Sequence, residues 1–345
     1  MREPFEIAGG AQAKVENVLV RATLKDGTQG WGECAPFPAF NGETQAKALA
    51  AARRVSGAVE GLDAARPAAL ARLLEERLGR LGAARAGIEM AALDAWARSA
   101  GFSLWSYYGG ASTRLATDVT VAIVGPAEAA AAARRIASLG VSTIKIKVGR
   151  DVEEDALRVL AVAGAVPRAR LILDANQGYS AAQALALLRR LRRRAVAPAL
   201  FEQPVAKDDW EGMARVERAG RVPVAADETV SGRADAWRLA RTRAVSVVNV
   251  KLMKYGLAEA AEIAAVCRAA GLRLMIGAMI ESRLALACAA HFAAGTGGFD
   301  FVDLDTCLWF AADPFRGFGM APGGVYDPSA VRSGIGVVPR RRPQR

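Results

Sequence analysis

Short apolar segments alternate with longer amphipathic segments along most of the chain from Leu115 onward. Eight short segments predict buried parallel strands, over residues 118–123, 143–147, 171–174, 200–202, 224–226, 246–250, 273–276 and 300–304. The segments between them have helical spacing, over residues 127–139, 153–163, 181–193, 210–219, 234–240, 257–270 and 282–293. Eight strands with seven intervening helices are enough to close a barrel, so the pattern predicts an α/β barrel.

The first 112 residues follow a different pattern. Residues 15–33 alternate apolar and polar positions around the turn signal Asp26-Gly27, which predicts an antiparallel meander. Helical spacing follows over residues 44–56, 67–78 and 84–99. We therefore predict an α+β domain over residues 1–112 and a barrel over residues 113–313. We expect the Gly/Pro-rich residues 314–345 to pack back against the first domain and complete it.

Composition narrows the class of protein. The 345 residues are 52% hydrophobic and 23% charged, which allows a large core and argues against disorder. The start lacks an apolar leader and no apolar run is long enough to span a bilayer, so we expect a cytoplasmic protein without a membrane partner. The four cysteines form no Cys-x-x-Cys pair, which favours buried free thiols over disulfides or zinc.

The formal net charge of +11 raises the question of nucleic-acid binding. The densest arginine run, residues 189–194, ends a predicted helix, where the helix dipole favours cations. A second run lies at residues 340–342 of the tail. Aromatic residues do not interleave either run, so we expect solvated arginine faces and no nucleic-acid partner.

Charged side chains end five successive predicted strands. They recur at intervals of 24 to 28 residues and are Lys147 (with Lys145 on the same face), Asp174, Glu202, Asp227 and Lys251. Each interval is one strand-plus-helix unit, so these side chains should lie at one height at the C-terminal mouth of the barrel, where active sites form.

Three carboxylates that converge on one point require a cation, because like charges raise each other's pKa. Oxygen ligands without Cys or His favour Mg²⁺ or Mn²⁺, which predicts a metal site at Asp174, Glu202 and Asp227. Two simpler interpretations remain. The acids could be ordinary strand-end or helix-capping residues, and the lysines could serve only to neutralise them.

The lysines flank the acids in sequence and should therefore lie on opposite sides of the barrel. A lysine acts as a base only when its pKa falls, which burial and neighbouring positive charge both favour. For Lys251 we expect burial and the charge of the metal to lower the pKa.

These motifs resemble the enolase superfamily, and within it the muconate-lactonizing-enzyme subgroup. The resemblance covers nearly the whole chain, including Gly30-Trp31-Gly32-Glu33, the loop after it and the charged strand ends. It implies a modified (β/α)7β barrel under an N-terminal α+β capping domain. Enolase-superfamily sites combine a Lys or His base with Mg²⁺ that stabilises an enediolate.

The resemblance also implies roles for individual residues. Lys147 and Lys251 would be the acid/base pair, and Lys145 would assist at the substrate carboxylate. One lysine would remove the proton α to that carboxylate and the other would return a proton to the opposite face. Relatives similar to mandelate racemase need a histidine base on a late strand, whereas the only histidine here, His291, lies in a predicted helix.

Asp303 and Asp305 lie on one face of the last predicted strand, because side chains alternate along a strand. A substrate ammonium suits such a pair, and the pattern is similar to that of dipeptide epimerases. The alternative is that one aspartate pairs with a nearby arginine such as Arg283. The resemblance further implies that Thr120 and Met279 line the substrate pocket, although either residue would also fit the core.

We therefore predict a Mg²⁺-dependent dipeptide epimerase with a small dipeptide as its partner and, by analogy with similar barrels, a homo-oligomeric assembly. The Pro/Gly-rich residues 35–42 predict either a mobile lid or an anchored surface loop. Phe37 and Phe40 in that segment suggest an apolar pocket for the second residue of the dipeptide. The alternatives are o-succinylbenzoate synthase, N-succinylamino acid racemase or muconate cycloisomerase activity, and a non-catalytic, metal-stabilised peptide-binding protein.

Overall fold

A computed structural model of the chain describes residues 5–7, 10–12 and 14–340. Its N-terminal part is a cap of short antiparallel strands and helices. The strands are β1 (Phe5–Ile7), β2 (Gly10–Gln12), β3 (Val18–Thr23) and β4 (Gln29–Cys34). The helices are α1 (Pro38–Asn41), α2 (Gln45–Val59), α3 (Pro67–Leu78), α4 (Gly82–Ala100) and α5 (Leu104–Tyr107). The predicted meander is the β3–β4 pair, and the three predicted helices are α2, α3 and α4.

Strand β4 lies directly on helix α4 because it carries two glycines. A Cβ atom on Gly30 would lie 2.1 Å from Ala95 N, and one on Gly32 would lie 1.9 Å from Gly87 O. No side chain fits at either position. The Gly-Trp-Gly segment therefore permits backbone-to-backbone packing of the strand on the helix.

The barrel begins after a two-residue strand, β5 (Leu115–Ala116). Its eight strands are β6 (Val119–Val121), β7 (Thr143–Lys147), β8 (Arg170–Asp174), β9 (Leu200–Glu202), β10 (Val224–Ala226), β11 (Val247–Val250), β12 (Arg273–Gly277) and β13 (Phe299–Asp303). Its helices are α6 (Pro126–Ser138), α7 (Val152–Ala165), α8 (Ala181–Arg193), α9 (Trp210–Gly220), α10 (Arg233–Thr242), α11 (Leu252–Tyr255), α12 (Leu257–Ala269) and α13 (Arg283–Thr296). The short helix α11 was not predicted.

The strands pair in parallel and in chain order from β6 to β13. The first and last strands are joined by Asp118 N, which donates to Val302 O at 2.8 Å, and by Leu304 N, which donates to Thr117 Oγ1 at 2.7 Å. The predicted barrel under an N-terminal cap is therefore confirmed. Lys147 is the register partner of Asp174, and Asp174 is the partner of Glu202, which places these three charges side by side.

The bottom of the barrel is closed by an apolar plug. Each of the six strands from β8 to β13 contributes one residue, and these are Ile172, Leu200, Ala225, Val247, Met275 and Phe301. All of them are buried. Because side chains fill this end, the barrel is open to chemistry only at its C-terminal mouth.

Local signals in the sequence start the barrel helices. Asp151 Oδ1 accepts from Glu153 N and Glu154 N at the start of α7, whose first turn is acidic. Ser180 and Gln183 form a reciprocal capping box at the start of α8. These contacts satisfy amide groups that a helix leaves without partners at its N-terminus.

Glu33, at the end of the Gly-Trp-Gly-Glu motif, joins the cap to the barrel. It is buried and accepts from Asn17 Nδ2 at 2.6 Å and from Ser282 N at 3.0 Å. Ser282 begins helix α13 of the barrel. The motif therefore contributes a buried contact between the two parts of the chain as well as close packing within the cap.

The chain beyond the barrel contains two 3-10 helices (Thr306–Trp309 and Pro328–Ala330) and three strands, β14 (Phe315–Gly317), β15 (Val325–Tyr326) and β16 (Val337–Pro339). It packs on helix α4, where Ile335 N donates to Asp94 Oδ1 at 2.8 Å and Arg98 Nη2 donates to Val337 O at 2.7 Å. The expected contact with the first region is present, while the domain boundaries at residues 112 and 313 stay a prediction.

Two further expectations concern local features. The segment of residues 35–42 contains helix α1, and Phe37 and Phe40 are both partly buried against the core. The cysteines are free thiols, buried except for the partly exposed Cys307. Within the described residues, no helix has the length and apolar character needed to cross a bilayer.

Candidate active site

The predicted lysines and acids meet at the mouth of the barrel. Lys147 ends β7 and Asp174 ends the neighbouring β8, so their side chains point into the same space. Lys147 Nζ lies 2.6 Å from Asp174 Oδ2 and donates to Asn176 Oδ1 at 2.9 Å. The first predicted lysine and the first predicted metal ligand are therefore in direct contact.

Lys145 occupies the centre of the acidic cluster. Its side chain is almost fully buried, and its Nζ lies 2.9 Å from Asp174 Oδ2, 2.7 Å from Glu202 Oε2 and 2.6 Å from Asp303 Oδ2. Burial lowers the pKa of Lys145, but Asp174, followed by Asp303 and Glu202, outweighs it and raises the pKa well above its usual value. Lys145 thus links the proposed metal ligands to the proposed ammonium site.

Two lysines contact Asp227 on the opposite side. Lys251 Nζ lies 2.8 Å from Asp227 Oδ2, and Lys254 Nζ lies 2.6 Å from Asp227 Oδ1. Burial lowers the pKa of Lys251, but Asp227 and then Glu202 outweigh it, so the pKa is raised above its ordinary value. The expected lowering included the charge of a bound metal ion, so it stays a prediction.

Lys254 was not predicted, although it lies only three residues after Lys251. The short helix α11 turns the chain so that both amines reach Asp227. Lys254 is 3% exposed and also donates to Asp227 O at 2.6 Å. Burial lowers the pKa of its amine. The sequence signal that could have identified Lys254 is its position one helical turn after Lys251.

The three predicted metal ligands differ in how far neighbouring lysines lower their pKa values. Burial raises the pKa of Asp174 and Asp227, but Lys145 acts on the first and Lys251 on the second, and both pKa values lie below the ordinary range. Burial, followed by Asp174, raises the pKa of Glu202 to about 8. Glu202 Oε1 accepts from Asn249 Nδ2 at 2.7 Å, whereas Oε2 has no hydrogen bond of acceptable geometry, even to Lys145.

These residues fit a hard divalent cation. The donor set consists of buried carboxylate oxygens at adjacent strand ends. In the described part of the chain, Glu202 Oε2 and Asp227 Oδ1 have ion-pair contacts with lysines but no hydrogen bond of acceptable geometry. Such oxygens suit Mg²⁺. In this conformation lysines contact all three acids, so the assignment of Asp174, Glu202 and Asp227 as ligands stays a proposal.

Asp303 and Asp305 lie together at the end of β13. Lys145 pairs with Asp303, and Thr120 N donates to Asp305 Oδ2 at 2.7 Å. Arg283 instead lies near Asp313, with Nε 3.9 Å from Oδ2, so the alternative pairing with Arg283 is not observed. Burial, followed by Asp303, raises the pKa of Asp305 to about 6.

Thr120 and Met279, the two residues expected to line the substrate pocket, contact different acids. Thr120 contacts the site through its backbone amide, as described above. Met279 packs in the core, and its backbone N donates to Glu281 Oε1 at 2.8 Å. Thr120 is therefore joined to the candidate ammonium site, whereas Met279 contacts a different acid.

Two buried acids were missed. Glu281 follows β12, so the rule that identified the other strand ends would have found it; burial raises its pKa to about 8. Asp118 precedes β6, at the opposite end of its strand, where no charge was expected. Among the described residues, the oxygens of Asp118, Asp303 and Asp305 lie within 4.8 Å of one another.

A cavity of about 550 Å³ opens between the cap and the barrel, beside Lys254 and Glu228. Phe40 of the predicted lid and Trp210 of α9 supply aromatic surface. The charged residues that line it are Arg80, Lys207, Asp208, Glu228, Asp235, Arg238 and Lys254. The cavity next to the loop is therefore lined by both aromatic and charged side chains, whereas the sequence suggested an apolar pocket.

His291 takes no part in the site. It is fully buried in α13, its Nδ1 accepts from Trp105 N at 2.9 Å, and its Nε2 lies 3.1 Å from Ile335 O. Burial lowers its pKa to about 4. The histidine is therefore a packing residue.

Comparison with known proteins gives a consistent result. The model for "Enolase C-terminal domain-like" proteins matches residues 127–342, and that for the "Mandelate racemase / muconate lactonizing enzyme, N-terminal domain" matches residues 1–109. The chain is 45% identical to the aromatic dipeptide epimerase of Herpetosiphon aurantiacus over 98% of this chain and 95% of that protein. It is 40% identical to the hydrophobic dipeptide epimerase of Citrifermentans bemidjiense, over 99% and 95%.

A solved structure agrees with these relatives. The dipeptide epimerase of Enterococcus faecalis V583, complexed with Mg and the dipeptide L-Leu-L-Tyr, superimposes with a TM-score of 0.94 at 31% identity, covering 98% of this chain and 96% of that one. The protein is an enzyme of the isomerase class, of the racemase and epimerase type that acts on amino acid derivatives. The chain belongs to the muconate-lactonizing-enzyme subgroup of the enolase superfamily.

Proposed function

We propose that this enzyme is a Mg²⁺-dependent dipeptide epimerase that inverts the α-carbon of the C-terminal residue of an L,L-dipeptide. One observation carries the proposal: Lys147 and Lys251 face the same barrel mouth, and the acid pair Asp303 and Asp305 lies at its edge. The named activity of the relatives, and the dipeptide and Mg in the Enterococcus faecalis complex, support this substrate class.

The two lysines stand on opposite sides of the mouth. Lys147 ends β7 and Lys251 follows β11, and these strands are four positions apart in an eight-stranded order. A carbon held between them is open to an amine on each face. This is the arrangement that a two-base inversion requires, because proton removal and return must occur from opposite sides.

Proton balance follows from that arrangement. In one direction a neutral amine takes the α-proton and becomes an ammonium, while the opposite ammonium gives its proton to the other face of the carbon. Turnover leaves the two lysines in exchanged protonation states, which serve the reverse reaction. The positive charge of Lys145 would help to stabilise the second negative charge that develops on the substrate carboxylate.

The metal would be held by Asp174, Glu202 and Asp227. When bound, it would act as a Lewis acid toward the substrate carboxylate and thereby favour loss of the α-proton. The acids keep this part of the mouth negative, and the lysines that contact them offset part of that charge.

Asp303 and Asp305 distinguish a dipeptide from the other substrates of the subgroup. A dipeptide has a free α-ammonium that can donate to two carboxylates. A succinylated amino acid or a muconate has no such group, and its anionic end would be repelled. The proposed substrate is therefore one with an ammonium at one end and a carboxylate at the other.

The test is hydrogen exchange in D₂O with a broad library of L,L-dipeptides and Mg²⁺, followed by mass spectrometry and chiral analysis. We expect one deuterium at the α-carbon of the C-terminal residue, together with formation of the L,D epimer. N-acetylated copies of the active dipeptides are the control and should react poorly. Absence of exchange throughout the library would rule out the proposal.

A second comparison separates the alternatives within the subgroup. Asp303→Asn and Asp305→Asn should each impair a dipeptide epimerase, because the ammonium loses a charged partner. The same variants should leave a racemase or lyase acting on succinylated substrates nearly intact. Dipeptide binding without exchange would instead indicate a binding protein.

A further inference from the structure

Asp118 is a buried carboxyl group without a donor of its own. Its side chain is 1% exposed, and neither oxygen has a hydrogen-bond donor in the described part of the chain. Its backbone N donates to Val302 O, which fixes the residue against the last barrel strand. A buried, unpaired carboxylate is costly, so its state needs a physical explanation.

The nearest partners of Asp118 are themselves acidic. Oxygens of Asp118, Asp303 and Asp305 lie within 4.8 Å of one another. Two carboxylates have no hydrogen to share. A hydrogen bond between them therefore requires a proton on one of the two.

The positive charge nearby is insufficient to ionise all three acids. Lys145 contacts Asp303, but its amine also contacts Asp174 and Glu202, so one charge is shared among several carboxylates. Arg170 at the start of β8 also acts on Asp118, and its guanidinium lies over the Phe301 ring at 4.3 Å. Arg170 is exposed, so solvent screens its charge.

The environment decides which acid holds the proton. Burial, followed by Asp303, raises the pKa of Asp118 well above its usual value. Burial also raises the pKa of Asp303, but Lys145 and Lys251 outweigh it, and the pKa falls below the ordinary value. The proton therefore belongs to Asp118, and Asp303 remains a carboxylate.

The geometry points to Asp118 as a neutral carboxylic acid that donates a hydrogen bond to Asp303 and positions it for the substrate ammonium. The substrate part of this inference rests on the proposed function. Asp118 donates on one side of Asp303 and Lys145 on another, which restrains rotation of the carboxylate. Asp118 is therefore a positioning residue, and it keeps the ammonium site at two negative charges instead of three.

The protonation state is tested without substrate. The enzyme is labelled with aspartate carrying ¹³C at the side-chain carboxyl. Infrared spectra are recorded at a pH well above the pKa of Asp305, which is raised to about 6, so that Asp305 is ionised. We expect a carboxylic-acid C=O band that shifts with the label. Labelling separates aspartic acid from the buried glutamic acids Glu202 and Glu281, whose pKa values are raised to about 8.

Asp118→Asn should abolish the labelled carboxylic-acid band, and Asp300→Asn, which alters an exposed aspartate of the same last strand, should leave it unchanged. A wild-type spectrum without the band, or an Asp118→Asn spectrum that keeps it, overturns the inference. Because no substrate is present, this result stands whether or not the enzyme proves to be a dipeptide epimerase.

The positioning role is tested by rescue. Asparagine keeps a hydrogen-bond donor at this position, so Asp118→Asn should have a KM for dipeptide close to that of the wild type. Asp118→Ala loses the donor and should raise KM by about tenfold or more, with a smaller effect on kcat. Unfolding midpoints of both variants verify folding, and equal KM values for the two folded variants would contradict the role.

Discussion

Lys147 Nζ lies 2.6 Å from Asp174 Oδ2, so a proposed base is in contact with a proposed metal ligand. A cation held by Asp174 would compete with Lys147 for the negative charge of this carboxylate and would weaken the contact. Occupation of the proposed metal site and the freedom of the proposed base to reach substrate would therefore be linked through Asp174.

Removal of divalent cations with EDTA should abolish α-hydrogen exchange, and added Mg²⁺ should restore it. Calorimetric titration of the folded enzyme should show Mg²⁺ binding that Asp174→Asn weakens by at least about tenfold, or about 1.4 kcal/mol. Asp300→Asn is the control, since Asp300 is exposed and pairs with Arg273 at the opposite end of the barrel. Full exchange in EDTA would disprove the metal dependence.

Lys147→Ala and Lys251→Ala should each reduce epimerisation by about 10²–10⁴-fold, the usual contribution of a general acid or base. Each variant keeps one amine, so it should still exchange the α-hydrogen of the epimer that presents its proton to that side. The measurement is deuterium incorporation into L,L and L,D dipeptides separately. Normal epimerisation in either variant would exclude the two-base scheme.

The strand-end charges could be predicted from the sequence because their position depends only on the length of a strand-plus-helix unit. Lys147, Asp174, Glu202, Asp227 and Lys251 follow this rule, and the register of β7, β8 and β9 places the first three side by side. Barrel topology and the N-terminal cap follow from the same periodicity.

Other features depend on contacts that no periodicity encodes. Lys254 reaches Asp227 only because helix α11 turns the chain, and Asp118 meets Asp303 only because the first and last strands join. The raised pKa of Lys251 results from the distances to Asp227 and Glu202. The sign of such a shift is a balance of burial against charge, which requires coordinates.

Lys254→Ala should destabilise the fold by about 3 kcal/mol, because it removes one partner of a buried ion pair and a hydrogen bond to the Asp227 carbonyl. Arg190→Ala is the matched control. Both side chains of its ion pair with Glu153 are exposed to solvent, so the pair should contribute only about 0–1 kcal/mol to the free energy of unfolding. Urea unfolding measures both, and equal losses would contradict the importance of burial.

Gly32→Ala should destabilise the cap by more than about 3 kcal/mol, since its new Cβ would lie 1.9 Å from Gly87 O, a backbone atom that cannot move without moving helix α4. Gly57→Ala is the control. Gly57 lies in helix α2 with no atom within 4 Å of an added Cβ, so alanine there should be neutral or stabilising by up to about 1 kcal/mol. Similar unfolding midpoints for both variants would refute the close packing.

Activity should depend on pH through the carboxyl group of Asp305. Burial, followed by Asp303, raises the pKa of Asp305 to about 6. Above that pH Asp305 is an anion and can bind an ammonium; below it the carboxyl is neutral and the attraction is lost. The value of kcat/KM for a dipeptide should therefore fall as pH decreases through about 6, mainly because KM rises.

Asp305→Asn identifies the group responsible. Asparagine is neutral at every pH, so this variant should have a high KM throughout and should lack the decrease near pH 6 that Asp305 causes. Any decrease that belongs to the lysines or to the metal ligands would persist, because those groups remain. If the variant showed the same decrease in kcat/KM as the wild type, the titrating group would be another acid, and Asp305 could not be the ammonium partner whose charge the enzyme requires.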